Sequence, residues 1–213
     1  GWTVFSGSAI PWSDPDQSIA AIARDAQRFG QTLEPEQPWG IVWAAGHATT
    51  SSTAAETEVE LSVFTKCATV MRDTLGANCR GSFLLASSAG GIYAGSENPP
   101  FDSQTLPQPT GAYGHLKRAQ EAAAEQILSS QMKVTIARLA NLYGPGQDLG
   151  KLQGLISRLA LAAITKETLT MFVPLDTLRD FIHVDDAAAI ALTWLAQSES
   201  AYQIRVIATG HSM

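Results

Sequence analysis

GIVWAAG, residues 40–46, is an unbroken apolar run that stops at a glycine. A strand with one face in water alternates apolar and polar residues. One buried on both faces reads as continuous apolar sequence, the signature of a parallel sheet covered by helices. The chain around it keeps that rhythm. Upstream, WTVFS (2–6) is a candidate strand, and after the Pro and Asp punctuation of IPWSDPD, residues 17–29 place apolar side chains at helical spacing up to a stop at Gly30. Downstream, 57–75 reads as a helix, and SFLLASSAGG (82–91) as a strand running into a glycine turn. A proline-rich loop, SENPPFDSQTLPQPTGA (96–112), delivers the chain to a helix starting near Tyr113, with Leu116, Ala119, Ala123 and Ile127 as its apolar stripe. KVTIARLANLYG (133–144) is a further strand, 151–164 a helix and TMFVP (170–174) a short strand. Asp185 or Asp186 caps a helix that turns Ile190, Ala191, Trp194 and Leu195 inward, and YQIRVIAT (202–209) is a last strand. Strands alternating with helices make an α/β chain with a parallel sheet. No internal repeat or low-complexity segment interrupts it.

Composition sets the outer bounds. With 213 residues, 45% of them hydrophobic and 16% charged, the chain can bury one full core and reads as a single globular domain. A formal net charge of -6 puts no basic field on its surface, which argues against a nucleic-acid or anionic-membrane partner. Cys67 and Cys79 lack metal-ligand spacing and read as reduced structural thiols, which suits a reducing cytoplasm; no metal site is expected. No apolar run reaches the roughly 18–20 residues of a membrane span, and the first residues lack the order of a signal peptide. The expectation is a soluble cytoplasmic protein.

GAYGHLKRA (111–119) carries the chemistry. A tyrosine hydroxyl has a pKa of about 10 and is a poor base at neutral pH, so chemistry that uses it needs a nearby cation to stabilise the phenolate. Lys117, four residues after Tyr113, lies on the same helix face, where its ammonium is expected to lower the pKa of the phenol and to reach a ligand hydroxyl. SFLLASSAGG ends at the carboxyl edge of the sheet, where ligands bind in open α/β folds. There Ser88 is placed to hydrogen-bond the same substrate oxygen that Tyr113 protonates or deprotonates.

Taken in order, GIVWAAG, SSAGGIYAG, PPFDSQTLPQPTGAYGHLKRAQE, ARLANLYGPGQ and TLRDFIHVDDAA make the chain resemble the extended short-chain dehydrogenases/reductases, specifically the NAD-dependent epimerase/dehydratase group acting on nucleotide sugars. The resemblance implies a Rossmann-like doubly wound parallel sheet with a small C-terminal substrate-binding part, to which residues 145–180 contribute. It implies Tyr113 as general acid/base, Lys117 as ligand of the nicotinamide ribose, and a serine that polarises the reacting hydroxyl or carbonyl. Ser88 is the candidate and Ser87 the alternative, also at the cofactor, while Ala89 stands where the commonest family form has its catalytic residue. Ala44, Ala45 and Gly46 match the segment that passes under the cofactor, where small residues let a ring approach the backbone. Asn141 matches a substrate contact. Arg179 matches a residue that meets the diphosphate with its fork of donors, the other reading being an ion pair with Asp180 or Asp185. Arg138 reads as structural and His183 as a packed histidine.

The chain departs from the family in having no glycine-rich turn for the pyrophosphate and no acid or base at the end of WTVFS to choose between NAD and NADP; the family leans to NAD. WTVFS resembles the family's second strand, which makes the chain look like a fragment, incomplete at both ends. A missing first strand would leave two buried edges without hydrogen-bond partners. The activity implied is epimerisation of a nucleotide sugar by transient hydride transfer, with reduction of a keto-sugar or other carbonyl, or a non-catalytic cofactor-sensing role, as rivals. Ala89-Gly90 stands where family dehydratases carry an Asp-Glu pair, which disfavours dehydration. A homodimer through 57–75 and 113–128 is the family habit.

Overall fold

The structure, a computed structural model, describes residues 2–76, 81–150, 154–171, 174, 176–197 and 200–213. Cys79, Phe172 and Val173 of the expected TMFVP strand, and the first three residues of the expected 151–164 helix lie outside these. Helix α1 (Pro15–Thr32) begins at Asp14, whose carboxylate accepts from the Gln17 N–H at 3.0 Å, with proline in the first turn where no N–H is needed. It runs past Gly30, the expected stop, and its cap at Leu33 bonds back to the Gly30 carbonyl. Strand β1 (Trp39–Trp43) follows, then α2 (Ala54–Leu75), opened by a capping box in which Thr53 and Glu56 satisfy each other's backbone N–H. β2 (Gly81–Ser88) leads through a single turn, α3 (Ala89–Ile92), and the proline-rich loop into α4 (Ala112–Leu128). β3 (Lys133–Leu139), β4 (Asn141–Tyr143), α5 (Leu155–Thr165), β5 (Phe181–His183), α6 (Val184–Gln197) and β6 (Tyr202–Ile207) complete the order.

Four strands form one parallel sheet in the order β1-β2-β3-β6, and β4 and β5 pair separately, also in parallel. The period of two sorts the central strands. Phe83, Leu85, Val134 and Ile136 face α2 and α4 in one core with Phe64, Ala68, Met71 and Leu128, while Leu84, Ala137 and Ile207 meet α6 through Ala187 and Leu195 in a second. Each such large apolar side chain, fully buried, stabilises the fold by about 1.5–3 kcal/mol.

Three expectations change. WTVFS is not a strand among the described residues: residues 2–10 lie without regular structure. They are held by side chains instead, with Phe5 against Phe29 at 5.3 Å and Ser8 N–H and hydroxyl both on Asp25. A strand needs a neighbour for its ladder, and β1 pairs on one side only, with β2. GIVWAAG is not buried on both faces either: Trp39 and Trp43 enter the core from one face of β1, while Val42, on the other, is 45% exposed. KVTIARLANLYG is two strands, broken at Ala140, whose N–H turns to the Ile207 carbonyl so that β4 leaves the main sheet for β5.

Candidate active site

β1, β2, β3 and β6 run in parallel, so their carboxyl ends share one edge, and the candidate residues gather there. Ser88 is the last residue of β2 and the N-cap of α3, its hydroxyl accepting from the Gly91 N–H at 3.1 Å. Two glycines bring α4 against this turn. A Cβ on Gly114 would sit 2.3 Å from the Gly91 carbonyl oxygen, and one on Gly91 would sit 3.1 Å from two ring carbons of Tyr113. Glycine beside Tyr113 thus permits a backbone-to-backbone approach that no other residue allows. It seats the Tyr113 ring against Gly91, in the turn that Ser88 caps, and the Ser88 hydroxyl lies near enough to the phenol to draw its pKa down.

Lys117 lies one turn along α4, buried at 8% exposure, with its ammonium 5.7 Å from the centroid of the Tyr113 ring. It donates to Gln120 Oε1 at 3.2 Å. Burial pulls the Lys117 pKa down, against the charges of Glu60 and Glu121, which raise it. The expected acid phenol is not what this arrangement gives. Burial holds the Tyr113 pKa above the usual tyrosine value, the nearby Ser88 hydroxyl works downward, and Glu60 works upward. The physical reason is position: the ammonium stands over the ring face and turns to Gln120, so the desolvation of the phenol goes unopposed by a cation at its oxygen.

Ser87, one residue earlier, points to the opposite side of β2, as alternation requires. Its hydroxyl donates to Glu121 Oε1 at 2.7 Å within a buried network. Arg138 forks onto Glu121 through Nε at 2.9 Å and Nη2 at 2.7 Å and gives Nη1 to the Tyr93 hydroxyl at 2.7 Å, which in turn donates to the Asp102 carbonyl. This network fastens α4 to β2, β3 and the proline-rich loop. Arg138 is structural, as the sequence implies.

The turn after β1 presents Ala44 and Gly46 exposed and Ala45 half-buried, and a cavity of about 320 Å³ opens beside it, lined by Trp12, Trp43, Ala45, Gly46, His47, Glu60, Phe64 and Gln120 among others. Ser88, Tyr113 and Lys117 do not line this cavity; its lining residue Gln120 is bonded to Lys117 on one side and to Glu60 on the other. Asn141 and Arg179 belong to the small β4-β5 sheet region, Asn141 in β4 and Arg179 two residues before β5. The Asn141 amide donates to the Asp180 carbonyl at 2.9 Å, and the Arg179 guanidinium to the Leu178 carbonyl at 2.9 Å. Among the described residues Arg179 forms no ion pair, because the Asp180 carboxylate caps the 209–211 turn through Thr209, Gly210 and His211. His183 packs edge-on against Tyr143 at 5.3 Å.

Sequence reading missed Glu60, Gln120, Glu121 and Tyr93. A signal was present for two of them: Gln120 and Glu121 follow Lys117 at i+3 and i+4, and polar residues on a buried helix face require partners.

The donor set fits the nicotinamide end of a dinucleotide. A buried ammonium has three N–H groups, and among the described residues Lys117 gives only one hydrogen bond, to Gln120, which leaves donors suited to a ribose diol.

Residues 10–208 match the NAD dependent epimerase/dehydratase family. The dTDP-L-rhamnose 4-epimerase of Burkholderia thailandensis is 31% identical over 116 residues, 54% of this chain and 32% of that protein. Among solved structures, UDP-glucose 4-epimerase from Thermotoga maritima, with UDP-glucose, superposes at a TM-score of 0.73 and 23% identity over 90% of this chain and 61% of that one. UDP-glucose 4-epimerase from Thermus thermophilus, in complex with NAD, gives 0.71 and 21% over 90% and 62%. The chain thus spans about a third of the curated relative and about three fifths of these structures. Because the match runs over residues 10–208, nearly all of the chain, the chain belongs to the NAD dependent epimerase/dehydratase family.

Proposed function

We propose that the protein of which this chain forms part is an NAD-dependent nucleotide-sugar epimerase acting by transient hydride transfer, with Ser88, Tyr113 and Lys117 as its catalytic residues. The observation that carries the reading is the packing of Tyr113 on α4 against the Gly91 turn that Ser88 caps, with the buried Lys117 ammonium one turn away, 5.7 Å from the Tyr113 ring centroid. Two hydroxyls converging on one point are what a substrate hydroxyl needs, one to hold its oxygen and one to take its proton. When bound, NAD supplies the acceptor and later the donor of the hydride. Tyr113 acts as a phenolate, its own proton having first left against the burial that raises its pKa: the phenolate takes the hydroxyl proton as the carbonyl forms, and the phenol returns it as the carbonyl is reduced. Ser88 keeps a hydrogen bond on that oxygen throughout. The names of the relatives, dTDP-L-rhamnose 4-epimerase and UDP-glucose 4-epimerase, favour C4 of the sugar as the reacting carbon.

Lys117 holds the nicotinamide ribose, and Ala44, Ala45 and Gly46 leave room for the ring. Ser87 has its hydroxyl on Glu121, which favours Ser88 over it in the serine role. Asn141 and Arg179 reach the substrate, with residues 145–180 as its binding part, and the Arg179 guanidinium is suited to the diphosphate. The assembly is a homodimer through residues 57–75 and 113–128, in α2 and α4. Among the described residues no helix is long and apolar enough to cross a membrane, and the protein works in the cytoplasm.

The test is Tyr113→Phe in the full-length protein. Turnover of a nucleotide sugar should vanish while NAD affinity stays nearly unchanged; retained turnover would refute the assignment.

A further inference from the structure

We propose that Glu60 is a positioning residue that acts through Gln120, holding the Lys117 ammonium and the turn after β1 in a fixed relation. The proposal rests on the reading of Lys117 as a ligand-binding cation. Gln120 is fully buried, so both ends of its amide must find partners. Its oxygen accepts from Lys117 Nζ at 3.2 Å and its nitrogen donates to Glu60 Oε1 at 3.4 Å. The chemistry of the two ends fixes this orientation, since an ammonium only donates and a carboxylate only accepts. The other oxygen of Glu60, Oε2, accepts the backbone N–H of His47 and of Ala48, each at 2.8 Å. A Cβ on Gly46 would come within 2.6 Å of Glu60 Oε1, so the carboxylate lies directly against the turn. One side chain on α2 thereby joins the backbone at 46–48 to a buried cation on α4.

Glu60 is also the counter-charge of that cation. Among the described residues Lys117 forms no direct ion pair, and two carboxylates act on it. Glu121 is held by the Arg138 fork, the Ser87 hydroxyl and a longer contact from Arg118. Glu60 has no ion pair of its own among the described residues, so its charge reaches Lys117 through the Gln120 amide. The groups around the ammonium are therefore Tyr113, Gln120 and Glu121 on α4 and Glu60 on α2. A purely structural clasp would hold the turn and leave the ionisation of Lys117 alone. A positioning relay moves it.

That difference is read by carbon-13 NMR of lysine-labelled full-length protein, with the Lys117 signal assigned by its loss in Lys117→Arg. In Glu60→Gln the titration midpoint of Lys117 should move to lower pH, because the ammonium loses its counter-charge. The Kd for NAD should rise roughly tenfold, the scale of one weakened hydrogen bond to a charged group. Glu60→Asp, which keeps the charge, should restore the midpoint in part. If Glu60→Gln does not fold, Gln120→Leu cuts the relay and leaves the clasp on His47 and Ala48, and the same midpoint shift is expected. An unmoved Lys117 midpoint overturns the proposal. The titration needs no turnover, so it stands or falls separately from the Tyr113→Phe result.

Discussion

Replacing Arg138 by methionine tests the frame that holds α4, the helix of Tyr113 and Lys117. Arg138 is 1% exposed and Glu121 0%, and three hydrogen bonds of 2.7–2.9 Å leave the guanidinium, two to Glu121 and one to the Tyr93 hydroxyl. Without the arginine, Glu121 keeps the Ser87 hydroxyl and a 3.4 Å contact from Arg118, a side chain 46% exposed. A carboxylate is then left buried without a buried cation, a loss worth about 3–5 kcal/mol. For a domain of about this size each kcal/mol lowers Tm by about 2–4 °C, so Tm should fall by about 6–20 °C. Removing both partners, as Arg138→Met with Glu121→Leu, leaves no orphaned charge and should restore most of that stability. Urea unfolding of the full-length protein and its three variants gives the coupling between the two sites. A single-variant loss under about 1 kcal/mol, or a double variant as unstable as the two singles added together, would refute the claim that this pair ties α4 to the sheet.

Two further outcomes separate neighbouring roles. Ser88→Ala should lower kcat on the order of a hundredfold, the scale of a group that assists proton transfer. Ser87→Ala should keep most of kcat but lose about 1–3 kcal/mol of stability, since Glu121 loses a buried partner; steady-state kinetics and thermal melts of both variants report it. Tyr202 has a buried hydroxyl with no partner among the described residues, and burial, with the Glu125 and Glu121 charges, pushes its pKa from 10.0 to about 12. A raised folded-state pKa means that the unfolded chain gives up its proton first, so stability is full below pH 10 and drains as pH rises from 10 to about 12. Tyr202→Phe should flatten that decline, seen as a shallower loss of urea midpoint across this range.

The fold was legible where a pattern depends on local residues. Apolar runs marked β1, β2 and β6, and helical spacing in 17–29, 57–75 and the 190s marked α1, α2 and α6, each within a few residues. What failed depended on a partner strand. WTVFS has strand composition, but backbone groups form a ladder only with a neighbour, and β5 (FIH) is too short to announce itself without β4 beside it. Tyr113 and Lys117 were visible as a helical pair, yet their electrostatics were not. The i+4 spacing puts the ammonium near the ring, while burial, Gln120 and Glu60 decide its effect, and those come from α2 and from a rotation of the α4 stripe toward Lys117, Gln120 and Glu121. Ser87 and Ser88 are adjacent in sequence and separate in role because β2 faces a helix layer on each side.

The most direct test of the mechanism follows a deuterium placed on C4 of a nucleotide sugar accepted by the full-length protein. Transient hydride transfer predicts epimerised product that keeps the label on C4 in ordinary water, with no net NADH at 340 nm. Exchange of the label into solvent would show that the carbon loses a proton, and would contradict the catalytic roles of Ser88, Tyr113 and Lys117.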